Sequence, residues 1–235
     1  MPGPVQDREA GFKPRSSSFP PATDTLQVIG PPSARCGLGE PASTEGLMSR
    51  VLILYGTTDG HTRKIAAGLA AAVREAGCEA EVIDAGKARA PVSPSHYDGV
   101  IVAASIHIGN FQRSVKRWVR AHAAELNAMP SAFVAVCLGI LEDRPEAARE
   151  VYAIMQRFLG WAGWRPRRIQ AVAGALPYTR YGPIKRWMMK RKVATISQDT
   201  DTSRDYEYTD WEELRRFGHQ FATLPGVRPE VPATF

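Results

Sequence analysis

Residues 51–63 read VLILYGTTDGHTR, and this stretch decides the fold. It begins with an apolar run that has the length of a buried strand. Apolar residues then recur at Ile65, Leu69 and Val73, which is the spacing of a helix that buries one face. Gly77 follows where the residue after a helix end is typically found. The sequence therefore predicts a strand that enters a helix through a short loop of glycine and hydroxyl residues.

The loop itself, residues 57–62, reads TTDGHT and matches neither GxxxxGK(S/T) nor GxGxxG. The first N–H groups of a helix are unpaired and lie at the positive end of its dipole, so they stabilise an anion. Together with three threonine hydroxyls they suit a single terminal phosphate. The loop resembles the FMN phosphate loop of flavodoxins, which implies that the cofactor is held by Thr57, Thr58, Asp59, Gly60, His61 and Thr62. The alternative is an ordinary loop whose threonine and aspartate only cap the helix.

The composition is that of a soluble globular protein. The 235 residues are enough for one domain with a sizeable core, and 44% are hydrophobic. Three widely spaced cysteines form no CxxC pair, which disfavours a disulfide framework or a zinc site and favours a reducing compartment. No apolar run approaches the length of a membrane-spanning helix.

The formal charge is +6, and the first 47 residues, with four basic and five acidic side chains, contribute none of the excess. The rest of the chain is therefore basic. Such a charge indicates an anionic partner, which can be nucleic acid, anionic lipid or an acidic small molecule.

Three segments are predicted along the chain. Residues 1–47 contain eight prolines and six glycines without periodicity, so we expect a disordered extension, and Met48 is a plausible true start. The extension lacks the pattern of a secretory signal. Residues 48–224 form the predicted domain, with an inserted basic segment at about 176–206. Residues 225–235 are expected to be a flexible tail.

Strands and helices alternate through the predicted domain. Later strands are predicted at 80–85, 99–104, 131–138 and 169–175, and helices at 111–126, 145–160 and 209–222. The stretch around Pro91 looks too short and proline-rich for a full crossover helix. This pattern predicts an α/β fold, a flavodoxin-like three-layer sandwich around a five-stranded parallel sheet of order 2-1-3-4-5. Ligands of such sheets bind at the carboxyl ends of the strands, here the loops after strands one, three and four.

The other two loops supply further candidates for the flavin. Small residues would allow close backbone approach, and aliphatic residues would form walls; they are Ser105, Ile106, His107, Ile108, Gly109, Leu138 and Gly139. Each has an alternative as an ordinary strand end or core residue. His107 is the candidate catalytic residue, since an imidazole there can donate to an anionic flavin or shuttle a proton. Its alternative is a surface hydrogen-bonder.

A basic segment at 178–192 carries six cationic residues and no acidic one. Ile184, Trp187 and Met188 have helical spacing, so the segment predicts an amphipathic helix on an anionic membrane surface. The alternative is a solvated helix that packs Trp187 on the core. The candidate contacts to membrane or substrate are Tyr178, Arg180, Lys185, Arg186, Trp187, Lys190 and Arg191.

Several blocks recur in the order of one family. They are the loop TTDGHT, AASI at 103–106, NAMPSAF at 127–133, WRP at 164–166, AGALPY at 173–178 and YTDW at 208–211. Together they resemble the flavodoxin-type, menaquinone-dependent protoporphyrinogen IX dehydrogenases of bacterial haem synthesis, over about residues 48–224. The resemblance implies FMN, a quinone acceptor and peripheral association with the cytoplasmic face of the inner membrane. His107 and Ile108 depart from the basic and aromatic residues usual there, and the loop 138–144 is less basic.

The resulting prediction is an enzyme that uses FMN to dehydrogenate protoporphyrinogen IX to protoporphyrin IX and passes electrons to menaquinone. An electron carrier of the flavodoxin type is the first alternative, although the basic charge disfavours it. A general NAD(P)H:quinone reductase is the second. Nucleic-acid binding is disfavoured because no recognised module is present. Metal is not expected, and a homo-oligomer stays open.

Overall fold

A five-stranded parallel sheet of order β2-β1-β3-β4-β5 forms the centre of the computed structural model. The structure describes residues 49–88, 92–142, 144–183, 187, 191 and 201–227. The predicted extension at 1–47 and the end of the predicted tail, residues 228–235, lie outside the described residues. The strands are β1 (Arg50–Gly56), β2 (Glu79–Asp84), β3 (Gly99–Ser105), β4 (Ser131–Cys137) and β5 (Arg168–Ala173). The predicted sheet and its order are confirmed.

In the part of the chain that the structure describes, five helices flank the sheet. They are α1 (His61–Glu75), α2 (Arg113–Ala121), α3 (Ala123–Ala128), α4 (Pro145–Ala162) and α5 (Trp211–Ala222). Helices α1 and α5 bury their apolar faces against one side of the sheet, while α2, α3 and α4 cover the other. The two buried clusters fill the spaces between the sheet and its two helix layers, as the predicted three-layer sandwich requires. In the described part of the chain, no helix is long and apolar enough to cross a membrane.

The strand register aligns the carboxyl ends that matter for the site. Gly56 of β1 pairs with Ala104 of β3, and Ala104 pairs with Ala135 of β4. The loops that follow these three strands therefore leave the sheet at nearly the same level. This is the edge at which a parallel sheet of this order binds its ligands.

A second, two-stranded sheet closes the base of the inserted segment. Strand β6 (Ala175–Leu176) pairs antiparallel with β7 (Tyr206–Glu207). A 3₁₀ turn at Tyr178–Arg180 follows β6. Much of the segment between them, residues 184–186, 188–190 and 192–200, lies outside the described residues.

Three local predictions were wrong in detail. The helix predicted at 111–126 is two helices, because the chain leaves helical geometry at His122 and its Nδ1 pairs with Glu125 Oε1 at 2.8 Å. The last helix begins at Trp211, two residues later than predicted, and Asp210 caps it by accepting from the Glu213 N–H. Strand β5 ends at Ala173, and Gly174 separates it from β6.

Between β2 and β3, the described residues contain one short helical element, a 3₁₀ turn at Pro94–His96.

Candidate functional site

The loop between β1 and α1 presents an uncapped helix start. Gly60, in a left-handed conformation with φ of 92°, occupies the N-cap position, and no side chain caps the helix. The Gly60 N–H donates instead to Thr57 Oγ1 at 2.9 Å, which closes the loop on itself. The first turn of α1 contains no acidic residue. The alternative in which threonine and aspartate cap this helix is therefore wrong, and its N-terminal N–H groups point to an external anion as their partner.

The threonine that opens α1 is placed for the same role. Thr62 is 1% exposed and lies in the first turn of the helix. A phosphate oxygen at the helix start would accept a hydrogen bond from its hydroxyl. The residues present thus fit the phosphate of a flavin mononucleotide.

Asp59 does not turn its carboxylate toward that helix start. Its Oδ2 accepts from His107 Nε2 at 3.3 Å and from the Tyr181 hydroxyl at 3.4 Å. His107 follows β3, and Tyr181 lies in the inserted segment, so one carboxylate joins three parts of the chain. A carboxylate facing the cradle would repel a phosphate. The Asp59 side chain is thus directed to His107 and Tyr181.

Gln112 is a site residue that the sequence did not indicate. Its Nε2 donates to Thr58 Oγ1 at 3.0 Å and to Ser105 Oγ at 2.6 Å, and so links two of the predicted loops. Its Oε1 is buried without a partner in the described structure. Turning the amide around would only move the deficit to the nitrogen. A ligand hydroxyl that donates to Oε1 would remove the deficit, which is a second feature that fits a bound flavin with its ribityl chain.

The loop after β3 makes a tight two-residue turn. His107 and Asn110 exchange backbone hydrogen bonds of 2.8 and 3.0 Å. The two residues between them, Ile108 and Gly109, have φ values of 48° and 68°. Positive φ at both central positions is a type I′ turn, which glycine and asparagine favour and a β-branched residue does not. The turn nonetheless carries Ile108 at its tip, 99% exposed.

Replacing Ile108 by asparagine should stabilise the protein, because asparagine tolerates left-handed geometry and isoleucine does not. We expect the free energy of unfolding to rise by about 1 kcal/mol. Urea denaturation followed by circular dichroism measures it. Ile108→Val, which keeps the β-branch, should bring no gain. Equal stability of the Asn and Val variants would show that the turn is not strained.

The other predicted walls are less exposed than Ile108. Ile106 packs against the buried cluster between the sheet and α2–α4. Leu138 packs against the small aromatic cluster of the insert, and Gly139 begins a 3₁₀ turn. A Cβ on Gly139 would lie 3.2 Å from Val151, so this glycine serves close packing. Of the predicted aliphatic walls, Ile108 is fully exposed, while Ile106 and Leu138 are partly buried.

The His61 side chain connects the start of α1 to Thr209, a contact that the sequence did not indicate. Its Nε2 donates to Thr209 Oγ1 at 2.7 Å, because that hydroxyl in turn donates to the Ala173 carbonyl. Lys64 adds a 2.9 Å ion pair with Glu207. Burial acts to raise the pKa of Glu207, but the hydrogen bonds from Lys64 and Trp211 outweigh it and lower that pKa. The start of α1 is thereby joined to the chain that leaves the insert.

The pKa of His61 lies below its ordinary value of 6.5, because burial outweighs the attraction of Glu207. As pH falls through 6.5, the unfolded chain takes up a proton that the folded state refuses, so the folded state loses stability on this side. We expect the free energy of unfolding to drop between pH 7.5 and 5.5. His61→Gln should flatten this slope in urea denaturations at both pH values. An identical slope in the variant would contradict the assignment.

The predicted substrate and membrane contacts in the inserted segment differ in how far they are buried. Tyr178 is fully buried, and Tyr181 is 6% exposed; both belong to the aromatic cluster at the base of the insert. Trp187 is 60% exposed with the Arg191 guanidinium 5.5 Å from its ring centroid, so it does not pack on the core. The side chain of Arg180 and all of Lys185, Arg186 and Lys190 lie outside the described residues.

Comparison with known proteins places these features in a family. The model of the flavodoxin domain family matches residues 52–203. Over 176 residues the chain is 36% identical to the protoporphyrinogen IX dehydrogenase (quinone) of Escherichia coli K12, which covers 74% of this chain and 96% of that protein. The protein of that name from Leishmania major is 35% identical over 185 residues, 78% of this chain and 79% of that protein.

Among solved structures, flavodoxin 1 from Bacillus cereus aligns with a TM-score of 0.45 and 19% identity, over 75% of this chain and all of that one. The flavodoxin domain implies a flavin cofactor, which agrees with the uncapped start of α1. The chain belongs to the protoporphyrinogen IX dehydrogenase (quinone) family of flavodoxin-domain oxidoreductases.

Proposed function

We propose that this protein uses FMN to dehydrogenate protoporphyrinogen IX to protoporphyrin IX and that menaquinone receives the electrons. Family membership supports the reaction, since the relatives in E. coli and L. major carry that activity and a quinone in their names. The observation that carries the cofactor assignment is the uncapped start of α1, with its closed loop and the buried Thr62 in its first turn.

FMN fits this cradle better than a dinucleotide does. The loop offers one group of backbone N–H donors and hydroxyls, which suits one terminal phosphate. Binding would involve the backbone of the loop, the hydroxyls of Thr57 and Thr62, and the Gln112 amide beside Ser105. The exposed Ile108 would adjoin the isoalloxazine ring. The bound flavin would supply a two-electron acceptor, and the protein would orient the substrate and exclude water.

The insert is the best-placed element to receive the substrate. Its aromatic base is buried and packs beside Leu138, at the carboxyl edge of the sheet. The basic residues of the insert would pair with the two propionate groups of the porphyrinogen. Tyr178 would support this surface from within, because the structure buries it completely.

Anaerobic turnover tests the proposal. Protein loaded with FMN should oxidise protoporphyrinogen IX, and the fluorescence of protoporphyrin IX should appear in step with reduction of a soluble menaquinone analogue. NADPH serves as the comparison substrate. Reduction of the quinone by NADPH, with no reaction of the porphyrinogen, would refute the proposal and favour a general quinone reductase.

We also propose that the protein works at the cytoplasmic face of the inner membrane, as a peripheral protein. Menaquinone is apolar and lies in the bilayer, so an enzyme that reduces it must reach that surface. Trp187 is exposed beside Arg191, and an exposed aromatic residue next to a cation suits the lipid–water interface. Oligomeric state plays no part in this proposal.

Charge reversal of the insert should release the protein from anionic vesicles. Each basic residue near such a surface contributes about 1 kcal/mol. Changing Lys185, Arg186, Lys190 and Arg191 to glutamate should therefore weaken binding to phosphatidylglycerol vesicles at least about 100-fold in a sedimentation assay. The control with the same change of charge reverses four exposed arginines outside the insert, Arg113 and Arg117 on α2 and Arg149 and Arg157 on α4. Equal loss in both variants would contradict a specific role of the insert.

A further inference from the structure

Dehydrogenation of a porphyrinogen needs a group that accepts a proton, and the structure points to one. We propose that His107 accepts it at Nδ1, and that Asp59, through its side chain, is the residue that positions His107 for this role. The proposal rests on the proposed function. It assigns the proton acceptor, the accepting atom and a second role for a residue of the phosphate loop.

The hydrogen bond between the two side chains decides the tautomer. His107 Nε2 lies 3.3 Å from Asp59 Oδ2. An ionised carboxylate can only accept, so the hydrogen of the neutral imidazole lies on Nε2. Nδ1 then carries the lone pair. This is the division of labour in which a carboxylate orients an imidazole and stabilises it once it has taken up a proton.

The backbone of His107 is held as firmly as its ring. The two hydrogen bonds with Asn110 fix the residue at the end of the tight turn. Its side chain is 38% exposed, so the ring remains accessible from the side that does not face Asp59. Lys116 of α2 donates to Asn110 Oδ1 at 3.0 Å and so holds the other end of the turn. The acceptor is thus rigid and reachable.

Asp59 is held in turn by the insert. The Tyr181 hydroxyl donates to the same Oδ2 at 3.4 Å. Burial, reinforced by the negative charge of Asp59, raises the pKa of Tyr181, so the phenol keeps the hydrogen that it donates. Two side chains thus contact one oxygen of the Asp59 carboxylate and hold it in place. The element that would receive the substrate therefore also sets the proton acceptor.

The chemical step balances with these groups. In each two-electron oxidation, a bridging carbon of the porphyrinogen would lose a hydride, and the bound flavin would supply the acceptor for both the hydrogen and its electron pair. The neighbouring pyrrole N–H bond breaks, its electrons remain in the ring to form a C=N bond, and the proton goes to His107 Nδ1. Solvent then removes the proton from the imidazolium. Positioned bases of this kind contribute about 10² to 10⁴ in rate.

Nitrogen NMR tests the tautomer without any turnover. Protein labelled with ¹⁵N-histidine and loaded with FMN should show His107 as the Nε2–H tautomer at high pH, with His107→Gln identifying its signals. Asp59→Asn should produce a mixture of both tautomers, because an amide can also donate. An Nδ1–H tautomer in the wild-type protein would overturn the proposal.

Kinetics test the role. His107→Gln should lower kcat for the porphyrinogen at least about 100-fold, and Asp59→Asn at least about 10-fold, with KM little changed. The Kd of FMN should stay within about threefold in Asp59→Asn, because that carboxylate does not face the cradle. His96→Gln, at the opposite edge of the sheet, is the matched control and should behave as wild type.

The outcomes separate the two proposals. A wild-type protein that fails to oxidise the porphyrinogen refutes the proposed function, whatever the tautomer. Normal turnover by both variants of the pair refutes the proton acceptor and leaves the function standing. A large rise in the Kd of FMN in Asp59→Asn would place its carboxylate in the cofactor site and overturn the positioning role.

Discussion

Replacing Thr57 and Thr62 together by valine should raise the Kd of FMN at least about 100-fold. Hydrogen bonds to a charged group contribute about 1.5–3 kcal/mol each, and two of them multiply to a factor of that size. The Thr57 hydroxyl also accepts from the Gly60 N–H, so its loss loosens the loop that faces the phosphate. Valine keeps the shape of threonine and leaves the packing of the buried Thr62 position intact. Quenching of FMN fluorescence measures the affinity.

Thr223→Val is the matched control for this substitution. Thr223 directly follows the C-terminus of α5, away from the phosphate loop in sequence, and its hydroxyl donates to the Gln220 carbonyl. We expect unchanged affinity in this variant. Tight binding of FMN by the double variant would show that the start of α1 does not hold the phosphate, and the assignment of the cofactor site would fail with it.

Phe133→Ala should have the largest effect on stability, about 3–5 kcal/mol. Phe133 is completely buried in the middle of β4. Its ring lies 5.1 Å from Phe111, 5.2 Å from Phe158 and 5.7 Å from Trp164, measured between centroids. Alanine would leave a cavity among rigid rings that cannot close around it. Urea denaturation monitored by circular dichroism gives the change in the free energy of unfolding.

Trp187→Ala removes an even larger side chain from an exposed position. Because Trp187 is 60% exposed, we expect a loss below about 1 kcal/mol. The contrast separates burial from residue size as the cause of the effect. Similar losses in both variants would contradict the assignment of the core to the α2–α4 side of the sheet.

The family resemblance and the fold were within reach of the sequence because their signals are local. A run of apolar residues predicts a buried strand wherever it occurs, and the spacing of Ile65, Leu69 and Val73 predicts α1 without reference to the rest of the chain. The alternation of such elements predicts a parallel sheet, and the phosphate loop after the first strand favours the order 2-1-3-4-5, which is confirmed. Boundaries were less certain, as the break at His122 shows, because a single side chain can end a helix.

The contacts between site residues could not be predicted from the sequence, because they join residues that lie far apart in it. Asp59 meets His107 and Tyr181 across 48 and 122 positions of sequence, and His61 meets Thr209 across 148. Gln112 lies next to the phosphate loop only because β1 and β3 are neighbours in the sheet.

The sequence by itself determined the strands, the helices and the loop that suits a phosphate, since each depends on residues within a few positions of one another. Only the tertiary structure decided that this loop leaves its helix uncapped and that Asp59 turns away from it toward His107. Hydrogen bonds between side chains depend on which loops leave the sheet at the same level. That level is set by the register of β1 against β3 and β4, which is a property of the packed sheet.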